Sequence, residues 1–265
     1  MIVHYYNEWD KGAAAWLREL INNKLIPYGY VDERSITEVT PSDLEGFTQC
    51  HFFAGIGGWP LALQLAGIPE STRLWTGSPP CQPFSVAGKS LGFDDERHLA
   101  PAFLRLIREC KPELLFGEQV AAAIGKHWLD FVFLNLEDKG YSCGAAVLPA
   151  CSVCSPQERQ RLIFGAWMGD TNGARVEGLR ESQQVILQKG RKIQERYSLS
   201  PDVASCLWDS WKPNHGADKE ARVIPGGFCE ATHGVSARVG RLRGYGNAIV
   251  PQVAAEFIKA FMRSV

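Results

Sequence analysis

Apolar positions along the chain fall into short runs, punctuated by glycine, proline and polar residues at spacings that alternate between strand and helix. An apolar run at 2–6 (IVHYY) ends in Asn-Glu-Trp-Asp-Lys. Residues 11–23 (KGAAAWLRELINN) repeat apolar side chains at helical spacing, with Ala14, Leu17 and Ile21 and with Trp16 and Leu20 expected on the buried side and Asp10 as N-cap. Residues 50–54 predict a strand, 55–58 (GIGG) the turn after it, and 60–66 a helix with Pro60 at its first position. A short buried strand follows at 73–76 (RLWT), a helix at 99–110 and a strand at 114–116 that delivers Glu118. Residues 141–147 and 160–167 read as a closing pair of strands. From 169 to about 240 the periodicity fades as Gly, Pro and polar residues rise, and helical spacing returns at 250–262. The expected fold is α/β, with one domain from 1–168 plus 244–265 and a small separate lobe over 169–243.

Length and composition agree with that division. A chain of 265 residues that is 45% hydrophobic can bury one sizeable core and a small appended lobe. No run of 18 apolar residues occurs, and the N-terminus has neither a basic nor an apolar signal segment, so a cytoplasmic protein without a membrane partner is expected. Eight cysteines are scattered without a disulfide framework and fit a reducing compartment. The single C-x-x-C at 151–154 lacks a second pair, so no metal is expected.

A net charge of −1 does not advertise a polyanionic partner, but the charge is unevenly placed. Residues 171–265 hold 14 Lys and Arg against 9 Asp and Glu, which leaves 14 against 20 of the totals of 28 and 29 for the first 170. Within the basic third, 189–192 (KGRK) with Arg196, and Arg238, Arg241 and Arg243, are candidates for phosphate contacts. A solvated charged face accounts for the first cluster equally well.

The most informative chemistry lies at 77–85 (GSPPCQPFS), where Pro79, Pro80 and Pro83 stiffen the backbone around Cys81. Following a predicted strand, the cysteine sits where open α/β sheets bind ligands. A thiol held there suits a nucleophile, although a Cys-Pro pair alone more often marks a buried structural cysteine. Its company alters the balance. P-P-C-Q-P-F-S resembles the nucleophile motif of the DNA (cytosine-5) methyltransferases, and five other segments resemble motifs of that family. They are 53–59 (FAGIGGW), 88–99 (GKSLGFDDERHL), 115–120 (LFGEQV), 156–164 (PQERQRLIF) and 243–253 (RGYGNAIVPQV). In the third of these, Gln119 stands where the family has Asn.

The order of the pieces is unusual. The family places two further cofactor motifs between the glycine turn and the cysteine loop, yet only 22 residues separate Gly58 from Cys81. Residues 2–11 (IVHYYNEWDK) resemble the first missing piece, and 31–39 (VDERSITEV) the second, with Ser35 where the family has Asp and Asp32 as its possible substitute. The chain therefore reads as rearranged. The first three strands of such a sheet lie side by side and the cysteine strand neighbours the first, so only connections change. A right-handed crossover to the cysteine strand would, however, put helix 60–66 on the face opposite its usual one.

The resemblance implies a Rossmann-like S-adenosylmethionine-dependent sheet with a small target-recognition lobe, acting on double-stranded DNA as a monomer. It implies Cys81 as nucleophile, Glu118 as the group that hydrogen-bonds the target base, and Arg159 and Arg161 as its grips. For the cofactor it implies Glu8 on the ribose and Trp9 and Phe53 on adenine. Gly55, Gly57, Gly58, Trp59, Asp32, Ser35, Ile36, Pro80, Asn247 and Ile249 would line the rest of that site. Gln82, Ser85, Gln119, Arg238 and Arg241 would contact the nucleic acid. An enzyme of the same fold acting on RNA cytosine or adding another group, and a non-catalytic DNA-binding relative, stay open; the last would predict loss of Cys81 or Glu118, and both are present.

Overall fold

A computed structural model describes residues 2–80, 99–153, 155, 159–169 and 247–265, together with the backbone of 211–215 and 221–225; the side chain of Lys126 is outside the description. The chain divides into two compact units, Met1–Gly169 with Cys229–Val265, and Asp170–Phe228. In the first, β1 (His4–Asn7), β2 (Gly29–Asp32), β3 (Gln49–Phe52), β4 (Leu74–Gly77), β5 (Leu114–Val120), β6 (Ser142–Leu148) and β7 (Arg161–Trp167) form one sheet. The helices are α1 (Lys11–Asn22), α2 (Gly58–Ala66), α3 (Ala100–Cys110), α4 (Trp128–Glu137) and α5 (Pro251–Met262). Short 3-10 turns occupy Pro41–Leu44, Ala121–Lys126 and Ala150–Val153. In the second unit, β8 (Trp211–His215) and β9 (Ala221–Pro225) pair antiparallel, a ladder that the polar composition of this region conceals.

The sheet order is β2-β1-β3-β4-β5-β7-β6. Strands β1 to β5 run parallel, and β7 is antiparallel to both β5 and β6. β1, β3 and β4 are buried at every position, as expected of strands covered on both faces, while β6 at the edge alternates. The sheet register places Val31, Tyr6, His51, Thr76 and Phe116 in one row on one face, and Tyr5, Cys50, Trp75 and Leu115 on the other. The first face is covered by α1, whose Ala14 and Leu17 meet Tyr6 and Val31, and by α2 and α5 over Leu74, Leu114, Phe116 and Ile163. On the second face α3 and α4 close over Phe52, Trp75, Leu115 and Phe164, joined by Ile36, Val39 and Leu44 from the 33–48 segment.

This arrangement resolves the crossover question raised by the sequence. α1 carries the chain from β1 outward to β2 on the first face. The 33–48 segment (β2 to β3) and α3 (β4 to β5) carry it the opposite way on the second face, so all three connections share one hand. α2 carries β3 to β4 in the same direction as α3 but on the face of α1, and so takes the opposite hand, a rare choice. The helix keeps its face because that face is made for it. A Cβ on Gly57 would lie 3.0 Å from Leu20 of α1, and one on Gly58 would lie 2.7 Å from Ile249, just before α5. Both glycines let α2 wedge between its neighbours.

Several boundaries and faces differ from expectation. Asp10 does cap α1, its carboxylate accepting from Ala13 N at 2.9 Å, but Trp16 is 49% exposed. The α1 interface is narrow, so Ala14 and Leu17 fill it and Trp16 rotates out. α2 begins at Gly58 with Gly57 as a left-handed N-cap, so Pro60 is its third residue. β5 extends past Phe116 to Val120 and contains Glu118 within its ladder. α5 packs on α2 and on residues of β4, β5 and β7, with Phe257, Ile258 and Phe261 seated against Phe116 and Ile163.

Candidate active site

The carboxyl ends of β1, β2, β3, β4 and β5 converge along one edge of the sheet, the position where open α/β sheets hold ligands. β1 delivers Glu8 and Trp9, β3 delivers Phe53 and the glycine turn, β4 leads through Ser78, Pro79 and Pro80 toward Cys81, and β5 carries Glu118 and Gln119. Antiparallel β7 starts where β5 ends, and its first residue, Arg161, is registered with Val120.

Glu118 is 8% exposed, and Arg161 Nε lies 2.8 Å from its Oε1. Burial nevertheless wins: the carboxyl is pushed up to about 7, against the opposing pull of Arg161 and Arg159. Arg159 is held below its ordinary value, first by burial and then by the Arg161 cation, with Glu118 pulling the other way. Its φ of 31° is unusual for a side-chain-bearing residue, and its guanidinium donates to the Ala248 carbonyl, tying the β7 approach to the segment before α5. Gln119 is 1% exposed; its Nε2 donates to Pro79 O at 3.3 Å and its Oε1 accepts from Val120 N at 3.0 Å. Its amide thus has a protein partner on both its nitrogen and its oxygen.

The cofactor residues divide into those the structure leaves available and those it uses internally. Glu8 Oε1 accepts from Asp10 N at 2.8 Å and Oε2 from Gly55 N at 2.7 Å, so a residue ahead of α1 pins the glycine turn 47 positions away. Burial raises its carboxyl, offset in part by those two N–H groups. A carboxylate has about four lone-pair positions, so two remain for hydroxyl donors. Trp9 is 72% exposed beside it. Phe53 adopts φ 52°, a strained choice for an aromatic residue and one that clusters at ligand sites, with its ring edge-on to Phe103 at 6.3 Å. Gly55 has φ 57°, and a Cβ there would meet nothing closer than the Phe53 carbonyl at 4.0 Å. This open space lies next to the N-terminus of α2, which has no side-chain cap and suits a carboxylate. These residues fit an amino-acid-bearing nucleoside such as S-adenosylmethionine.

Other expected contacts are spent elsewhere. Gly57 and Gly58 serve packing, as shown by Leu20 and Ile249, and Ile249 is buried against Gly58. Trp59 is 1% exposed in the core, its indole N–H donating to Ser78 Oγ at 2.9 Å. Asp32 is buried and accepts from Tyr5 OH at 2.8 Å and from the Arg34 backbone and guanidinium. Burial works to raise it, but the bonds from Arg34 and Tyr5 outweigh that and hold it low. It therefore cannot replace the missing acid at Ser35, whose Oγ pairs with the Thr37 hydroxyl at 2.8 Å. The Ile36 side chain belongs to the core below. Pro80 is partly exposed and Asn247 exposed, both at the described margins of the site. Cys81, Gln82, Ser85, Arg238 and Arg241 lie outside the described residues.

Sequence reasoning missed Asn7, whose Nδ2 donates to Arg34 O at 2.9 Å and fastens the 33–48 segment to the end of β1. It also missed Ser78 and the Ala248 carbonyl as partners of site residues. No spacing rule marks a contact between strand ends. Among the described residues, no group of three or more His, Cys, Asp or Glu is placed to hold a metal, and no helix is long and apolar enough to cross a membrane.

The sequence model of the C-5 cytosine-specific DNA methylases matches residues 67–219, more than half of the chain. The chain belongs to that family. Similar members include the type II methyltransferase M.HhaI of Haemophilus parahaemolyticus, 29% identical over 175 residues covering 51% of this methylase and 53% of that protein. Another is M.Eco47II of Escherichia coli, 32% identical over 227 residues covering 69% and 54%. The chain thus spans about half the length of these curated relatives. The solved S. pombe Dnmt2 methyltransferase shares the fold, with a TM-score of 0.52 at 13% identity over 100% of this chain and 99% of that one. Family and fold together imply S-adenosylmethionine as cofactor.

Proposed function

We propose that this methylase is a DNA (cytosine-5) methyltransferase that methylates C5 of a cytosine flipped out of double-stranded DNA, through a covalent adduct with Cys81. The observation that carries the reading is Glu118, a buried carboxyl near neutral pKa, braced by Arg161 on the strand beside the one that leads to Cys81. A carboxyl that keeps its proton near pH 7 can donate to a base nitrogen, which an ordinary carboxylate cannot.

The electron bookkeeping assigns each group a role. The Cys81 thiolate adds to C6, and Glu118 gives its proton to N3 as the ring accepts the electron pair, so C5 becomes enamine-like. S-adenosylmethionine supplies an electrophilic methyl. Methyl transfer to C5 would break the donor's S–CH3 bond and leave a neutral thioether; the C5 proton then leaves to water, and elimination at C6 returns the thiolate while N3 returns its proton to Glu118. Arg161 holds the Glu118 carboxyl in orientation, and Arg159 fixes the approach to β7 through Ala248. Gly55, the uncapped α2 terminus, Glu8, Trp9 and Phe53 would hold the cofactor. Flipping the base costs roughly a few kcal/mol, which contacts with the 169–243 lobe would offset. The reading further assigns a monomer in the cytoplasm, acting alone or within a restriction-modification pair.

Bisulfite sequencing of DNA from cells expressing the protein tests this reading and reports the recognised site as well. Methylated cytosine with the wild-type chain and none with Cys81→Ala is expected. Unchanged methylation by the variant would remove the covalent mechanism, and none with either protein would remove the activity.

A further inference from the structure

Phe53 does not lie where its strand would put it. Side chains alternate across a sheet, so the residue after Phe52 belongs on the face of His51 and Thr76. Its backbone instead turns left-handed at φ 52°, and the half-buried ring joins the aromatic cluster of the opposite face. There it meets Phe103, the fourth residue of α3, edge to face, with ring centroids 6.3 Å apart and planes at 81°. Phe103 is itself fixed from three directions. Phe52 lies against it at 5.3 Å, and the sheet beneath it is Gly77, where a Cβ would fall 2.6 Å from Phe103 Cζ. From the third direction, Arg105 Nη2 donates to Val39 O at 2.8 Å and ties α3 to the 33–48 segment. Gly77 is the register partner of Phe52 at the end of β4, so a side chain there would lift the Phe103 ring off the sheet. At 3% exposure Phe103 is covered by its neighbours, whereas Phe53 is only partly covered and stands two residues from Gly55, whose N–H Glu8 holds.

We propose that Phe103 is a positioning residue for the cofactor, holding the Phe53 ring in the orientation that receives adenine. The proposal rests on S-adenosylmethionine binding against Phe53. A left-handed backbone is a costly choice for phenylalanine and persists only where its surroundings over-determine it, and Phe103 supplies that constraint on the side of the ring. Without the Phe103 ring, Phe53 can swing to other rotamers, and the apparent affinity for a ligand that needs one of them falls by the fraction in which it is populated. Edge-to-face aromatic pairs contribute roughly twofold to tenfold to an equilibrium constant, which sets the size of that loss. The effect falls on binding of the cofactor and not on the chemistry that follows.

The test uses the full chain and measures S-adenosylmethionine affinity by calorimetry, methyl transfer to unmethylated plasmid DNA, and Tm. Phe103→Leu should weaken S-adenosylmethionine about fivefold, and KM for the cofactor should rise with it while kcat changes less than about twofold. In a Phe53→Leu background the same substitution should change cofactor affinity less than about twofold, because Phe103 acts through the ring already removed. Gly77→Ala keeps the Phe103 ring but lifts it, should weaken the cofactor by a similar factor, and keeps the test decisive if Phe103→Leu fails to fold. Ile107→Ala, one turn further along α3 in the same core, should lower Tm with cofactor affinity within about twofold of wild type. Wild-type affinity in Phe103→Leu, or in Gly77→Ala where Phe103→Leu does not fold, would overturn the proposal. So would an equal loss in the two backgrounds, or a loss in Ile107→Ala as large as in Phe103→Leu, which would make affinity a reflection of stability alone. Phe53→Leu separates the two levels. If it binds S-adenosylmethionine as tightly as wild type, the placement of the cofactor against Phe53 fails first; if it binds weakly while Phe103→Leu binds normally, only the positioning role fails.

Discussion

Replacing Glu118 with Gln should make the protein more stable at neutral pH while abolishing its chemistry. Burial pushes the carboxyl up from its ordinary 4.5 to about 7, outweighing the Arg161 and Arg159 cations. A raised carboxyl means the folded state holds its proton up to about pH 7, whereas the unfolded chain releases it near 4.5. The associated stability is fully present below 4.5 and is lost as pH rises through about 7. Over the whole window that is about 3 kcal/mol, most of it between pH 5 and pH 8. Glu118→Gln keeps the shape of the protonated acid and does not titrate, so its stability relative to wild type should grow by that amount across the interval. Urea unfolding at four pH values between 5 and 8, followed by far-UV circular dichroism, measures the difference. Other groups titrate in the same range with the opposite sign, notably buried His4 and His51, pushed down by burial to about 4 and about 3, but they cancel between the two proteins. A difference that stays constant, or shrinks with rising pH, would mean that the Arg161 ion pair keeps Glu118 ionised throughout. The role of proton donor to N3 would then be untenable.

Two further outcomes follow from contacts at the glycine turn. Glu8→Ala removes acceptors from both Gly55 N and Asp10 N and should weaken S-adenosylmethionine binding at least tenfold by calorimetry, since it loosens the turn and deletes the expected ribose acceptor; unchanged affinity would show that the front segment is not part of the cofactor site. Gly58→Ala should cost about 1–3 kcal/mol in urea unfolding, because its Cβ would fall 2.7 Å from Ile249 Cγ1, and Ile249→Ala in the same chain should recover much of the loss; a neutral Gly58→Ala would mean that α2 and the segment before α5 are not in contact.

Most strands and helices of the first unit were legible because their signals are local, although β2 and α4 were not read. The Asp10 cap, the helical spacing of Ala14 and Leu17, and the short strand around Trp75 each follow from neighbours within a few residues. Glu118 and Arg161 were legible as a site through motif spacing, and the ladder that registers β5 with β7 brings them together. What stayed hidden depends on distant partners. Asp32 looks like a spare acid until Tyr5 and Arg34 are seen to saturate it, and the Trp59 indole N–H meets Ser78, 19 residues away. Glycines mislead for the same reason. Gly55, Gly57 and Gly58 are alike in the sequence, yet only Gly55 opens onto free space.

The hand of the α2 connection bears on how this chain came to have its order of motifs. Sheet neighbours β2, β1, β3 and β4 are held by parallel ladders that depend on which strands touch and not on which comes first in the chain. Moving a β1-α1-β2 segment ahead of β3 would therefore leave every ladder and every helix contact intact. Its cost would fall on connections alone, and the one that must then join β3 to β4 directly finds α2 already fixed on the face of α1 by Leu20 and Ile249. An ordinary crossover would require α2 to abandon both contacts and the uncapped terminus beside Gly55; an odd-handed loop requires only the short link 67–73. Packing around the cofactor turn, rather than the handedness preference of a single crossover, is then the stronger constraint on this fold.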